Sequence, residues 1–137
     1  MKSFLFGPGP WTTLPSLGLL VLRISLGGLM AYLHGWDKYI GMADMVEEFP
    51  DPFGIGSDIS LYLAIFAEVG CSALLVLGLL TRWAALPLAV TMGVAAFIVL
   101  GADPIPDREL PILYLAAYLT LFISGPGRYS ADALIHR

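Results

Sequence analysis

Charge is scarce in this chain. Asp, Glu, Lys and Arg make up 13% of its 137 residues, about half the ~25% share of an ordinary soluble domain. Cysteine occurs once, at Cys71, which excludes an intrachain disulfide and a paired-cysteine redox motif. The two histidines, His34 and His136, lie at opposite ends of the chain, so a bis-histidine haem within one copy is excluded. The acidic stretch Asp37 to Asp51 lacks the spacing of a calcium-binding loop, and no metal site is expected. Basic residues are too few and too scattered for a nucleic-acid partner, and the net charge is −4.

What remains is apolar. Hydrophobic residues account for 58% of the chain, more than a soluble core of this size requires. They fall into four runs, at about 14–33, 60–80, 83–100 and 109–124. A membrane helix needs about 20 residues. The first two runs satisfy this easily, the third adequately, and the fourth by starting at Glu109. The expected fold is all-α: an integral membrane four-helix transmembrane bundle, a single domain over 1–137, with a long outer loop between helices 1 and 2. The first run carries an internal arginine and no A-x-A-like site follows it, so it reads as a span and not as a signal peptide.

Positive charge sets the orientation. With four spans, Lys2, Arg82, Arg128 and Arg137 share one side, and Lys38 and Arg108 the other. Both termini are therefore expected on the cytoplasmic side of a multi-pass protein of the cell membrane. The acids of the first loop, among them Asp44, Glu47 and Glu48, make the outer face negative.

The local signals agree with this plan. Prolines and glycines over Met1 to Pro15 oppose a regular helix, and Trp11 suits headgroup level. Helix 1 is expected to end near His34–Gly35. The segment after it spaces Trp36, Ile40, Ala43 and Val46 as a short interfacial helix, and Pro50 to Gly56 breaks structure before a cap at Ser57 or Asp58. The loop is expected to lie over the bundle as a lid. The turn Leu80-Thr81-Arg82 makes helices 2 and 3 an antiparallel hairpin. Ala85, Ala89 and Gly93 form a small-residue face for close packing, within the bundle or against a partner. Ser130 is placed to cap a last helical turn.

Two charges interrupt the apolar runs: Arg23 in the first and Glu68 in the second. A charge at the centre of a membrane helix costs roughly 2.5–3.5 kcal/mol on insertion scales. Counted at ~1.5 Å per residue, Glu68 lies ~12 Å from Ser60 and Arg23 ~16 Å from His34. These similar depths predict an Arg23–Glu68 pair. Arg23, Gly27, Met30 and His34 share one helical face, and His34, Lys38, Asp103, Arg108 and Glu109 are expected to cluster at the outer end, completing a polar path to mid-membrane. Three readings of the pair stay open: a structural lock, a site for a quinone headgroup or another small molecule, and a proton relay through Glu68. Cys71, Tyr114 and Tyr118 read as packing, and Trp36, Tyr39 and Trp83 as interfacial belt residues.

The ordered motifs resemble the DoxX family of small four-helix membrane proteins. They are LRISLGGLMAYLHGWDK in helix 1, AEVGCSALLVLGLLTRWAALPLAV through helices 2 and 3, and Glu109 followed by an apolar run and GPGRYSAD. The resemblance falls on Arg23, His34, Gly35, Lys38, Glu68, Gly78, Thr81, Arg82, Glu109, Gly125, Gly127 and Asp132. One departure is Gly101-Ala102-Asp103, where relatives often carry a histidine. The resemblance implies a subunit or accessory protein of a respiratory or quinone-linked membrane oxidoreductase complex. Any electron transfer would use a bound quinone, or partner subunits, because no redox centre is intrinsic to the chain. The alternative is a stand-alone binder of a quinone-like small molecule, or a proton-coupled transporter using Glu68. Lipid is the other expected ligand class, and a homo-oligomer fits either reading.

Overall fold

The computed structural model of the chain describes residues 13–136. The loop expected over Met1 to Pro15, the placement of Trp11 and the charges of Lys2 and Arg137 fall largely or wholly outside them. The described residues form helices and turns with no strand. Three helical segments are long and apolar enough to cross a membrane: α1, Thr13–Ile40; α3, Ser57–Leu77; and α4, Thr81–Val99. A short helix α2, Met42–Met45, follows α1. A tight 3-10 turn at Ile105–Arg108 leads into α5, Glu109–Ser124, and α6 closes the chain at Ala131–Ile135. α1 packs along α3, and α4 makes its broadest interface with α5. Between them lies a core that includes Met30, Leu75, Leu88, Tyr118 and Leu121.

Helix 1 does not end at His34–Gly35. It continues to Ile40, because Gly35 stays in right-handed helical geometry, with φ −69° and ψ −44°. Gly35 is a contact residue, not a stop signal. A Cβ there would lie 2.7 Å from Val69 Cγ2 and 2.9 Å from the Glu68 carbonyl oxygen. The expected interfacial helix is thus the last turn of α1 plus α2, and the irregular part of the loop shrinks to residues 46–56.

The entry to α3 also differs from expectation. Gly56 stands at the N-cap with φ 109°, and neither Ser57 nor Asp58 caps the helix through its side chain. Asp51 organises this turn instead. Its carboxylate accepts from Ile55 N–H at 3.0 Å, Gly56 N–H at 2.9 Å and Ser60 Oγ–H at 3.1 Å.

At the opposite end, Gly78 adopts φ 70° and ends α3 in a left-handed turn. The hairpin occupies Gly78 to Leu80, so Thr81 and Arg82 open α4. The small-residue face of α4 serves the bundle itself: Ala85 and Ala89 are buried, while Gly93 borders open space. The Ser130 cap forms as expected, with Ala133 N–H donating to Ser130 Oγ at 3.1 Å. The start of α1 and the segment after α5 meet at this hairpin end, where Arg128 N–H donates to Ser16 Oγ.

Candidate functional site

The arginines are structural. A helix leaves its last four carbonyls without partners, and each of three buried or half-buried arginines fills such a set. Arg23 is fully buried and donates to Leu75 O at 3.1 Å, Val76 O at 3.3 Å and Tyr129 O at 2.6 Å, at the C-terminus of α3. Arg82 donates to Phe122 O and Ile123 O at the end of α5. Arg108 donates to Ala96 O and Gly101 O at the end of α4. A cation there also complements the negative end of the helix dipole. Asp132 does the converse for α4: its carboxylate accepts from Leu80 N–H and Thr81 N–H.

The expected Arg23–Glu68 pair does not form. The depth count assumed that α1 ends at His34. The helix instead crosses α3 with Gly35 beside Glu68 and Val69. Arg23 is twelve residues back from that crossing, ~18 Å along the helix. One turn past Gly35 stands Lys38, and its Nζ meets Glu68 Oε2 at 2.7 Å. The Glu68 side chain is 4% exposed and that of Lys38 23%.

Local helix geometry sets up this site. In α1 the N–H of Trp36 reaches Ala31 O, in α3 that of Ser72 reaches Ala67 O, and in α4 that of Leu100 reaches Ala95 O. Each is an i to i−5 bond, the wide turn of a π-helix, which occurs frequently at functional sites. The three wide turns span Met30–Gly35, Phe66–Cys71 and Ala95–Val99. They change which residues face inward. The buried face of α1 runs Arg23, Gly27, Met30 and then Gly35, a five-residue step where a regular helix would place His34.

Two cavities adjoin the pair. The first, about 270 Å³, lies between α3 and α4 under the 46–56 loop. Phe49, Pro52 and Phe53 roof it, Leu63, Val90 and Val94 wall it, and Lys38 and Glu68 supply its charged end. Leu63 and Val90 are each more than half exposed, so the apolar wall continues onto the outer surface of the helices. The second, about 190 Å³, is bounded by His34, Lys38, Glu68, Met30, Leu110 and Tyr114. The cavities share Lys38, Glu68, Met92 and Ala95 as a common wall.

Among the sequence candidates, Glu68, Lys38 and His34 therefore come together, and Arg23 and Glu109 do not. Glu109 is exposed in the first turn of α5, where its charge favours the helix N-terminus. Arg108 is occupied by carbonyls, so the expected outer cluster with Asp103 does not assemble around the site. Tyr114 packs as expected, 5.8 Å from Tyr118 between ring centroids, but its ring also meets His34 edge-on at 6.1 Å and lines the second cavity. Sequence reasoning missed Phe49 and Phe53 as cavity residues. Their only signal was two aromatics in a loop rich in proline and glycine.

The sequence pattern of the DoxX family matches residues 18–101. The chain is 33% identical to an uncharacterised protein of Haemophilus influenzae over 129 residues, covering 88% of this chain and 85% of that one. It is 30% identical to the inner membrane protein YqjF of Escherichia coli over 130 residues, covering 90% of this chain and 96% of the relative. No solved structure matches. The matched stretch contains α3, α4, all but the first five residues of α1, Gly35 of the α1–α3 contact and the Lys38–Glu68 pair, and on this footing the chain belongs to the DoxX family of membrane proteins.

Proposed function

We propose that this protein binds a lipophilic small molecule with a polar head, of the quinone class, and serves as an accessory subunit of a membrane oxidoreductase complex. The observation that carries the binding reading is an apolar cavity that ends on a charged pair. Its volume, about 270 Å³, sits just under the ~300–1,000 Å³ of typical ligand pockets. Its exposed apolar flank at Leu63 and Val90 gives a ring-bearing ligand a route for its tail into lipid.

The residues fit both states of such a head. A quinone carbonyl oxygen accepts from the Lys38 ammonium, and a quinol hydroxyl donates to the Glu68 carboxylate. Bound quinone would supply the electron chemistry, exchanged with partner subunits. The chain's own groups bind and orient the head, Lys38 as donor and the Glu68 carboxylate as acceptor. The loop over Phe49 and Phe53 excludes water from the ring.

In the same reading α5 is a fourth span. Its 16 residues extend ~24 Å, and the 3-10 turn before it completes the crossing of a four-helix transmembrane bundle. The hairpin end faces the cytoplasm, supported by Arg82 and Arg128 on that side. The relative named as an inner membrane protein supports the inner membrane as location.

Titration of the purified protein in nanodiscs with a short-chain quinone, read by tryptophan quenching at Trp36 and Trp83, tests the binding. Saturable binding is expected, weakened about tenfold, or ~1.4 kcal/mol, by Lys38→Met. Non-saturable quenching, or equal affinity in the variant, overturns the reading. Gentle isolation from native membranes separates the two settings. A large complex supports the accessory role, and a homogeneous small oligomer favours the stand-alone binder.

A further inference from the structure

We propose that the second cavity is a hydrated vestibule through which Glu68 exchanges protons with the aqueous phase at the loop end of the bundle, with His34 as the carrier. The inference rests on the reading of the first cavity only for what the protons serve.

The two cavities differ in chemistry. Beyond the shared Lys38 and Glu68, the first is walled mainly by Phe, Pro, Leu and Val side chains, and its two hydroxyls, Ser60 and Thr91, already donate to Asp51 and to Pro87 O. The second brings an imidazole, an ammonium, a carboxylate and a phenol to one space of about 190 Å³. A water needs ~10–15 Å³ and two to four polar partners, and this space meets both conditions several times over. The polar lining also continues inward. One turn below Tyr114, the Tyr118 hydroxyl is fully buried, and one turn below Glu68 so is the Ser72 hydroxyl. Neither has a hydrogen-bond partner among the described residues.

Glu68 stands in the wall between the cavities, so one carboxylate touches a ligand on one side and water on the other. The titratable groups facing it are Lys38 and His34 from α1 and Tyr114 and Tyr118 from α5. Among the described residues no second carboxylate lines either cavity. Lys38 Nζ lies 2.7 Å from Glu68 Oε2, so the carboxylate is held at the boundary of the two cavities.

The transfer is a proton movement alone. A Glu68 carboxylate oxygen would accept the proton of a bound head's hydroxyl, the O–H electron pair staying on the head oxygen. Glu68 passes the proton to vestibule water, neutral His34 takes it up, and the imidazolium releases it to bulk water. No electron moves in these steps.

Two measurements test this. The first replaces the single native thiol, Cys71, with thiols at chosen positions. In a Cys71→Ala background, Met30→Cys puts a thiol on the vestibule wall at a position 1% exposed, and Leu75→Cys puts one in the core at 0%. A small hydrophilic thiosulfonate added at the loop end is expected to label Met30→Cys about tenfold faster or more. Equal rates overturn the vestibule. In the second, infrared spectra after a drop in pH follow the growth of the Glu68 carboxyl band, identified by its loss in Glu68→Gln. His34→Ala is expected to slow that growth by about tenfold or more, and added imidazole to restore it. An unchanged rate, or a slow rate that imidazole does not rescue, overturns His34 as the carrier. Failure of the quinone titration with both of these results intact overturns only the reading of the first cavity.

Discussion

Double-mutant cycles distinguish the ion pair that forms from the one that sequence depth suggested. At 2.7 Å, Lys38 and Glu68 attract by ~6 kcal/mol at an effective dielectric of about 20. Desolvation opposes this by several kcal/mol per ion. The net worth of the pair is therefore far smaller than the Coulomb figure, but removing one partner is costly, because the other charge is left buried. Lys38→Met is expected to lose ~2–4 kcal/mol, the usual ~3–5 for a broken buried pair reduced because the lysine is 23% exposed. Glu68→Gln leaves an ammonium that can turn toward water, and its loss is smaller. The double variant should be less destabilised than the sum of the singles by ~1–3 kcal/mol. Arg23→Met combined with Glu68→Gln should be additive within ~0.5 kcal/mol, because the Arg23 guanidinium binds α3 at Leu75 O and Val76 O, ~11 Å along the helix from Glu68. Reversible unfolding in mixed detergent micelles supplies the four free energies of each cycle. Coupling below ~0.5 kcal/mol for Lys38 and Glu68, or coupling above it for Arg23 and Glu68, would refute the assignment.

Two further outcomes follow from the ends of the bundle. Gly78→Ala forces a Cβ into a left-handed backbone at φ 70° and against the Arg23 guanidinium and Ser130; it should destabilise by ~2–4 kcal/mol in the same assay, and a change under ~1 kcal/mol would mean the hairpin relaxes freely. At the loop end, the Asp51 carboxyl is held below the usual carboxylate range, first by the Gly56 N–H and then, against some desolvation, by the Ile55 N–H and the Ser60 hydroxyl. Its folded pKa is below its unfolded one, so its contribution is complete above the unfolded value, ~3.9, and is lost as pH falls through the folded value. Hydrogen-exchange protection at Ile55 and Gly56 should therefore fall from about pH 4 downward, and Asp51→Asn should lose it at all pH values.

The apolar spans were legible because membrane insertion is a sum over many residues. Glu109 to Ser124 appears as a helix at the expected residues, and the three helices long and apolar enough to cross a membrane differ from expectation at their boundaries, most at the end of helix 1, which runs on to Ile40. The site was legible only in its residue types. Lys38, Glu68 and His34 stood out as polar groups near apolar runs, but which of them meet depends on the crossing point of two helices. That point is set by Gly35, whose missing side chain admits Val69 and the Glu68 backbone. In the sequence, His34-Gly35 reads as a helix terminus, because glycine serves equally for stopping a helix and for bringing two together. The choice is made by the partner helix, which sequence periodicity does not contain.

The wide turns were invisible for a related reason. A π-turn inserts one residue into the helical face and has no residue signature here: MAYLHG, FAEVGC and AAFIV share little beyond alanine. Each wide turn leaves one residue out of step with the regular ladder, a local disruption that tight packing elsewhere must sustain. All three contribute a residue to the walls of the second cavity: His34 from α1, Glu68 from α3 and Ala95 from α4. Helices optimised for packing alone would have no cause to widen together around one buried carboxylate. Their convergence separates the Lys38–Glu68 pair from the arginine caps. Arg23, Arg82 and Arg108 close helix ends and would suit any bundle of this shape, whereas Lys38 and Glu68 occupy a place where the backbone itself gives up regularity to make room.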